Sequence, residues 1–272
     1  MKIGICTGGG DCPGLNAAIR AAVKHAINTY GMEVFGLFDS FQGLLVKPPK
    51  VKKLTLDDVA DIFSKGGSCL GTFNKGGQYQ GEEGKKEVLE TVNAFKELGL
   101  DVLIVIGGEG TQTISHQLAA QGLPFIGIPK TIDNDLPETE QTIGFSTCID
   151  LVSASVMRLR STAESHDRIM ILEVMGRDSG FIALHGGLAG GANVILIPEI
   201  PFSYEEICKK IMYRQALGRN FSLVVASEGA KEMGGDMVFT KNSSGGENLG
   251  GIGQRIAEEL FKLTKMETRV TV

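Results

Sequence analysis

No apolar run in the 272 residues approaches the ~20 needed to cross a bilayer as a helix, and tryptophan is missing altogether. Positive charge is not in excess: 27 Lys and Arg stand against 32 Asp and Glu, a net charge of −5, and the bases are interspersed with acids. That balance offers no electrostatic footprint for nucleic acid. The five cysteines, Cys6, Cys12, Cys69, Cys148 and Cys208, include no C-x-x-C pair, which removes the common zinc and dithiol spacings and predicts reduced, mostly buried thiols in a cytoplasmic protein. His25, His116, His166 and His185 show no metal-ligand spacing. Both standard nucleotide fingerprints are absent too, since neither a G-x-G-x-x-G turn nor a Walker lysine pattern occurs. The opening residues Met1-Lys2-Ile3-Gly4 enter a strand directly and lack a signal-peptide cleavage pattern. Neither a membrane nor a nucleic acid is therefore expected as a partner.

What is present is alternation. Apolar runs at Ile3 to Ile5, Val34 to Leu37, Val102 to Ile106, Phe125 to Ile128, Met170 to Leu172, Val194 to Ile197 and Leu223 to Ala226 are separated by helical stretches. Strands alternating with helices predict an α/β protein with mainly parallel sheets. Apolar stripes at Ile149, Val152, Val156, Leu159 and Ala163, and at Ile252, Ile256, Leu260 and Leu263, have helical spacing and belong to the core. The length suits one large or two medium domains, with a change expected near Gly144. The Gly-rich segment Gly229 to Gly251 reads as a flexible surface connection.

The chemistry concentrates in strand-end loops. After Phe125 to Ile128 comes Pro129-Lys130-Thr131-Ile132-Asp133-Asn134-Asp135, which packs two carboxylates, an ammonium and a hydroxyl together. One carboxylate can take a hydroxyl proton, another can hold Mg2+, and the ammonium can neutralise charge on a moving phosphoryl group. Val102 to Ile106 delivers Gly107-Gly108-Glu109-Gly110-Thr111 ahead of a helix over Gln112 to Gln121. Such a turn lets backbone and a helix N-terminus approach phosphate, with Glu109 as a hard oxygen ligand for Mg2+. A third turn, Gly8 to Gly14, follows the first strand and precedes a helix with apolar Leu15, Ile19, Val23 and Ala26. Taken singly, each has a plain alternative: a tight βα connection for the glycines, a solvated turn residue for Glu109, Asx turns for Asp133 to Asp135. One phosphoryl-transfer site explains them jointly.

Four motifs recur in order: T-G-G-G-D-C-P-G-L-N at Thr7 to Asn16, G-G-E-G-T at Gly107 to Thr111, P-K-T-I-D-N-D at Pro129 to Asp135, and E-V-M-G-R at Glu173 to Arg177. With them the chain resembles the 6-phosphofructokinase family from its first strand to its last residue. The resemblance implies two similar three-layer α/β domains, a nucleotide-binding one over 1–143 and a sugar-phosphate-binding one over 144–272, with the active site in the cleft between them. It implies ATP and fructose 6-phosphate as substrates, Mg2+ as cofactor, a place in glycolysis and a homo-oligomer, dimer or tetramer. By the same resemblance Asp133 is the general base, Lys130, Thr131 and Arg177 complete the catalytic group, and Glu109 and Asp135 support Mg2+. Gly10, Asn74, Lys75, Gly108, Glu109, Gly110 and Thr111 would meet the nucleotide. Met175, Gly176 and Glu228 would meet the sugar, along with Thr131, Asp133 and Arg177. Arg168 and Arg269 would clamp the 6-phosphate from a neighbouring subunit.

The chain departs from the family pattern at several places. Glu109 stands where many members carry Asp, and Asn74-Lys75 where classical bacterial members have an arginine. Glu267 to Val272 reads E-T-R-V-T-V, which in the family continues into L-G-H-x-Q-R-G-G, so the sequence reads as a truncated enzyme. Pyrophosphate-using relatives share Lys130 but place an aspartate at the position of Gly110, and glycine leaves room for the α-phosphate of ATP. ATP is the expected donor, with pyrophosphate the alternative. Two other classes are an NAD kinase, similar at the G-G-E-G-T turn, and a nucleotide-sensing subunit or inactive fragment without turnover.

Overall fold

The computed structural model describes residues 1–73, 79–241 and 246–272. Two compact units divide the chain, Met1–Thr131 with Asp135–Gly144, and Ile132–Asn134 with Phe145–Val272. The chain thus passes from the first unit to the second and back within Pro129 to Asp135.

In the first unit β1 (Lys2–Thr7), β2 (Glu33–Leu37), β3 (Val51–Leu54), β4 (Val102–Gly107), β5 (Phe125–Thr131) and β6 (Ile143–Gly144) form a sheet in the order β3-β2-β1-β4-β5-β6. All neighbours run parallel except β2 and β3. Side chains alternate across each strand. Ile3, Ile5 and Ile106 face α1 (Leu15–Tyr30) through Leu15, Ile19 and Val23. Leu103 and Val105 point the other way, into a cluster with Val88, Val92 and Phe95 of α3 (Gly81–Glu97) and Leu118 of α4 (Glu109–Ala120). The short α2 (Gln42–Leu45) joins that second layer through Leu44. From β1 the chain moves to β2 on one side, then returns to β4 on the other. The crevice of an α/β sheet opens at such a reversal, beyond the carboxyl ends of the strands.

The second unit repeats the layering. Its sheet runs β12 (Thr268–Thr271), β7 (Ile169–Val174), β9 (Ser222–Ser227), β8 (Val194–Leu196), with every pair parallel. Every residue of β7 and β9 is buried. Met170, Leu172, Leu223 and Val225 pack on α5 (Phe145–Ser165) and α6 (Phe181–Gly190) by way of Val152, Val156, Ile182 and Ala183. Ile169, Ile171, Val224 and Ala226 pack on α7 (Tyr204–Ala216) and α8 (Ile252–Thr264) by way of Ile207, Ile211, Ile256 and Leu260.

Each apolar run read from the sequence lies in a strand, save that Ile197 falls just past the end of β8, and two readings change. The helix expected from Gln112 begins at Glu109, so the Glu109-Gly110-Thr111 segment is its first turn and not a loop before it. The segment expected to be a flexible connection, Gly229 to Gly251, contains an antiparallel pair, β10 (Phe239–Lys241) with β11 (Glu247–Leu249), in which Phe239 opposes Leu249.

Leu103 is fully buried in β4 beneath the helical layer. Leu103→Ala is expected to cost about 2–5 kcal/mol of stability, read from urea unfolding curves; a loss below about 1 kcal/mol would contradict close packing on that face.

Candidate active site

Three strand-end turns of the first unit are tied to one another. The N–H of Gly8 donates to the Ile106 carbonyl at 2.9 Å, joining the turn after β1 to the end of β4. Thr111, 8% exposed, fills the space beneath both glycine turns: a Cβ on Gly8 would lie 2.5 Å from its Oγ1, and one on Gly107 would lie 2.5 Å from its Cβ. Both positions therefore need glycine. Lys130, only 3% exposed at the end of β5, donates from Nζ to the Gly10 carbonyl at 2.7 Å. Gly108 comes close to the same strand end, where a Cβ would stand 3.4 Å from the Lys130 carbonyl oxygen. Gln112 Nε2 donates toward the Gly107 carbonyl at 3.2 Å and the Ile128 carbonyl at 3.3 Å, which holds the ends of β4 and β5 in step.

Because α4 starts at Glu109, the N–H groups of Glu109, Gly110 and Thr111 precede the intrahelical ladder, whose first bond is Gln112 N–H to Gly108 O at 3.0 Å. A helix start of this kind, beside a glycine turn and a buried ammonium, suits phosphate oxygens. Gly110 is exposed, and a Cβ there would meet nothing within 4 Å, so the fold does not demand glycine at this position. Glu109 and Asp135 are exposed carboxylates on the same unit. Among the described residues no group of three or more His, Cys, Asp or Glu gathers to hold a metal on its own. Mg2+ that arrives on phosphates keeps several waters and needs only one or two carboxylates, so this hard-oxygen pair fits such an ion.

In the second unit the structure brings Asp133, Met175, Gly176, Arg177 and Glu228 together. Ser179 ties two of the segments, its N–H donating to the Gly176 carbonyl at 2.8 Å and its Oγ to the Asp133 carbonyl at 3.3 Å. Glu228, at the end of β9, accepts the Arg177 N–H on Oε1 at 3.2 Å. Arg177 has φ 50° and Asn134 has φ 54°, a left-handed conformation that costs roughly 1–2 kcal/mol for a residue with a Cβ. Such strain persists where surrounding bonds over-determine the backbone, typically at functional sites. Gly229 completes the arrangement, because a Cβ there would overlap the Arg177 carbonyl oxygen. A cavity of about 300 Å3 opens beside these residues, lined by Ile132, Cys148, Val174, Met175, Ile182 and Glu228. Burial, and then the charge of Asp133, push the Cys148 thiol up, so it stays protonated and poorly nucleophilic.

Arg168 and Arg269 lie elsewhere. They precede and pair with the first residues of β7, and both reach Glu267, at 2.8 Å and 3.0 Å. Met175 to Arg177 follow the far end of that strand, about 20 Å away at roughly 3.3 Å per residue. One chain does not join the arginine pair to its own Met175 to Arg177 turn. Asn74 and Lys75 lie outside the described residues.

Three residues with structural work at the site had little signal in the sequence. Asn16, 3% exposed, bonds the segment up to Cys69, and its cues were its place at the end of the first motif and an amide interrupting an apolar helix start. Glu173, 4% exposed, accepts the N–H groups of Gly251 and Gly253, both at 2.7 Å, at the start of α8; a carboxylate inside a strand buried on both faces was its cue. Ser179 had none.

Comparison with known proteins adds the following. A family model described as Phosphofructokinase matches residues 2–272. The chain is 48% identical over 276 residues to a protein of Synechocystis sp. named ATP-dependent 6-phosphofructokinase 1, covering all of this chain and 76% of that protein. It is 44% identical over 275 residues to one of Amycolatopsis methanolica named pyrophosphate–fructose 6-phosphate 1-phosphotransferase, covering all of this chain and 79% of the relative. Among solved structures, that of phosphofructokinase from Saccharomyces cerevisiae is similar with a TM-score of 0.80 at 30% identity, over 99% of this chain and 37% of the yeast chain.

The Glu267 carboxyl is held below its ordinary range, first by Arg168 and then by Arg269. A depressed folded-state value means that this ion pair supports β12 above the ordinary carboxyl range, and that its support is lost as pH falls through the depressed value. In a 13C titration Glu267 is expected to show a midpoint below that of a free glutamate and to return toward it in Arg168→Met; equal midpoints in the two proteins would contradict the pairing.

Proposed function

The chain belongs to the phosphofructokinase family, and on that premise we propose that it transfers the γ-phosphate of ATP to the 1-hydroxyl of fructose 6-phosphate, giving fructose 1,6-bisphosphate, a 6-phosphofructokinase reaction in glycolysis. The observation that carries this reading is the convergence of the turns after β1, β4 and β5, around the buried Lys130, in a chain nearly half identical to ATP-dependent enzymes.

The donor belongs to the first unit. Gly10, Gly108 and Gly110 let backbone approach the triphosphate, and the start of α4 offers it unpaired N–H groups. Thr111 keeps the two glycine turns at their spacing. Lys130 holds positive charge beneath them, already stripped of bulk water. Glu109 and Asp135 would hold Mg2+, which when bound neutralises charge on the phosphates.

The acceptor belongs to the second unit. Asp133 accepts the proton of the sugar 1-hydroxyl as that oxygen forms its bond to the γ-phosphorus and the bond to the β-phosphate oxygen breaks. Its task is mainly position, because in a loose transition state alignment and charge stabilisation supply most of the rate. Thr131, two residues before it, meets the sugar or the transferred group. Arg177, fixed by Glu228, stabilises the developing charge, and Met175, Gly176 and Glu228 orient the sugar. Arg168 and Arg269, at the opposite end of β7, serve the 6-phosphate of a second copy; their forked guanidiniums match phosphate bidentately. This reading requires a homo-oligomer, a dimer or tetramer. No helix among the described residues is long and apolar enough to cross a membrane, and a cytoplasmic location accords with the substrates.

Pyrophosphate is the second reading for the donor, favoured by the Amycolatopsis methanolica relative. Gly110 decides for ATP. The space before it is open, whereas a carboxylate would repel an α-phosphate.

Asp133→Ala is expected to lower kcat by about two to four orders of magnitude, the usual contribution of a general base, with small changes in both KM values; an unaltered kcat removes Asp133 as the base. Gly110→Asp is expected to fold with the same melting temperature and to lose at least about tenfold in kcat/KM for ATP, since each 1.4 kcal/mol is tenfold. Equal ATP kinetics in variant and parent would defeat the steric and electrostatic argument.

A further inference from the structure

Residues 65–72 form a strap with neither helix nor strand, and side chains of β1, the first turn and the first helix bond several of its backbone polar groups. Asn16 donates from Nδ2 to the carbonyls of Lys65 at 2.9 Å and Gly67 at 2.6 Å, and accepts the Cys69 N–H on Oδ1 at 2.9 Å. Both amide hydrogens are used, and the side chain is 97% inaccessible by its 3% exposure. Asp11 Oδ1 accepts the Gly67 N–H at 3.1 Å. Thr7 Oγ1 donates to the Gly71 carbonyl at 2.7 Å and lies 2.6 Å from Ser68 Oγ. Leu70, 2% exposed, plugs the strap into the core beside Ile5 and Ile19.

The strap in turn acts on the glycine turn. Thr72 Oγ1 donates to the Gly9 carbonyl at 2.7 Å, as Lys130 does to the Gly10 carbonyl. With both carbonyls occupied by donors, the peptide planes of the turn are fixed, and neither oxygen is free to rotate toward an arriving phosphate and repel it.

We propose that Asn16 is a positioning residue for the phosphoryl donor: it latches the 65–72 strap, and the strap, through the Thr72 hydroxyl, sets the carbonyl orientation of the Gly8–Gly10 turn. Asn16 does not touch the nucleotide. The inference rests on the functional reading above and assigns to the strap the preorganisation of its donor half alone. Without Asn16, three backbone groups of an irregular segment lose their partner, and an irregular segment has no ladder in which to find another.

Steady-state kinetics of Asn16→Ala and Thr72→Val, varying ATP and fructose 6-phosphate separately, test this. Asn16→Ala is expected to raise KM for ATP about tenfold or more while KM for fructose 6-phosphate moves less than about twofold, a split that general destabilisation would not produce. Thr72→Val changes one exposed hydroxyl, so it tests the link even where Asn16→Ala fails to fold. It is expected to shift KM for ATP in the same sense by a smaller factor. Parallel shifts in both KM values, or a Thr72→Val enzyme with unchanged KM for ATP, would overturn the proposal. Amide exchange separates this from the functional reading: Gly67 and Cys69 are expected to exchange faster in Asn16→Ala while β7 and β9 do not. If the parent protein lacks turnover, the functional reading falls; unchanged exchange at Gly67 and Cys69 would sink the latch itself.

Discussion

A buried ammonium on a backbone carbonyl, Lys130 on Gly10, holds the donor half of the molecule together. An unpaired cation inside a protein costs several kcal/mol or more, so its oxygen ligands are not optional. They fix where the turn after β1 ends relative to the end of β5. Thr111 closes the same arrangement from the other side by filling the space that Gly8 and Gly107 leave. On the reading proposed above, a phosphate arriving there would meet a charge that needs no further dehydration and N–H groups that need no reorientation, the advantage of a preorganised site over water.

The second unit solves a different problem. Its Arg177 and the neighbouring Asn134 are held in left-handed backbone, Arg177 by the Glu228 carboxylate and by the close fit of Gly229 under its carbonyl. Glu173 anchors the start of α8 with two short bonds from one strand upstream. Acidic side chains thus hold backbone in place in this unit, Glu228 at Arg177 and Glu173 at the start of α8, while Asp133 is the base proposed above.

Much of this was legible from sequence because buried parallel strands write themselves as unbroken apolar runs, as in Val102 to Ile106 and Leu223 to Ala226. The strands that escaped notice are edge or short ones. β3 carries Lys52 and Lys53, β12 alternates Thr and Arg with Val, and β10 and β11 sit within a glycine-rich stretch whose composition argues for a loop. The start of α4 was read late because Gly110 and Thr111 are poor helix formers, overridden here by the packing of Thr111. At the site, motifs marked which residues matter, Asn16 and Glu173 among them, but not which of those act on backbone. Asn16 and Ser179 bond groups far away in the chain, and no local spacing reports such partners. The pairing of Arg168 and Arg269 through Glu267 was equally hidden, since it depends on β12 lying in register against β7.

The central claim is that separate strand ends of the first unit make one phosphate site. Amide chemical shifts followed during titration with Mg2+ and a non-hydrolysable ATP analogue test it most directly. The account predicts that Gly8 to Gly14, Gly107 to Thr111 and Lys130 shift together along a single saturation curve. Shifts confined to one of these turns, or saturating at different analogue concentrations, would contradict it.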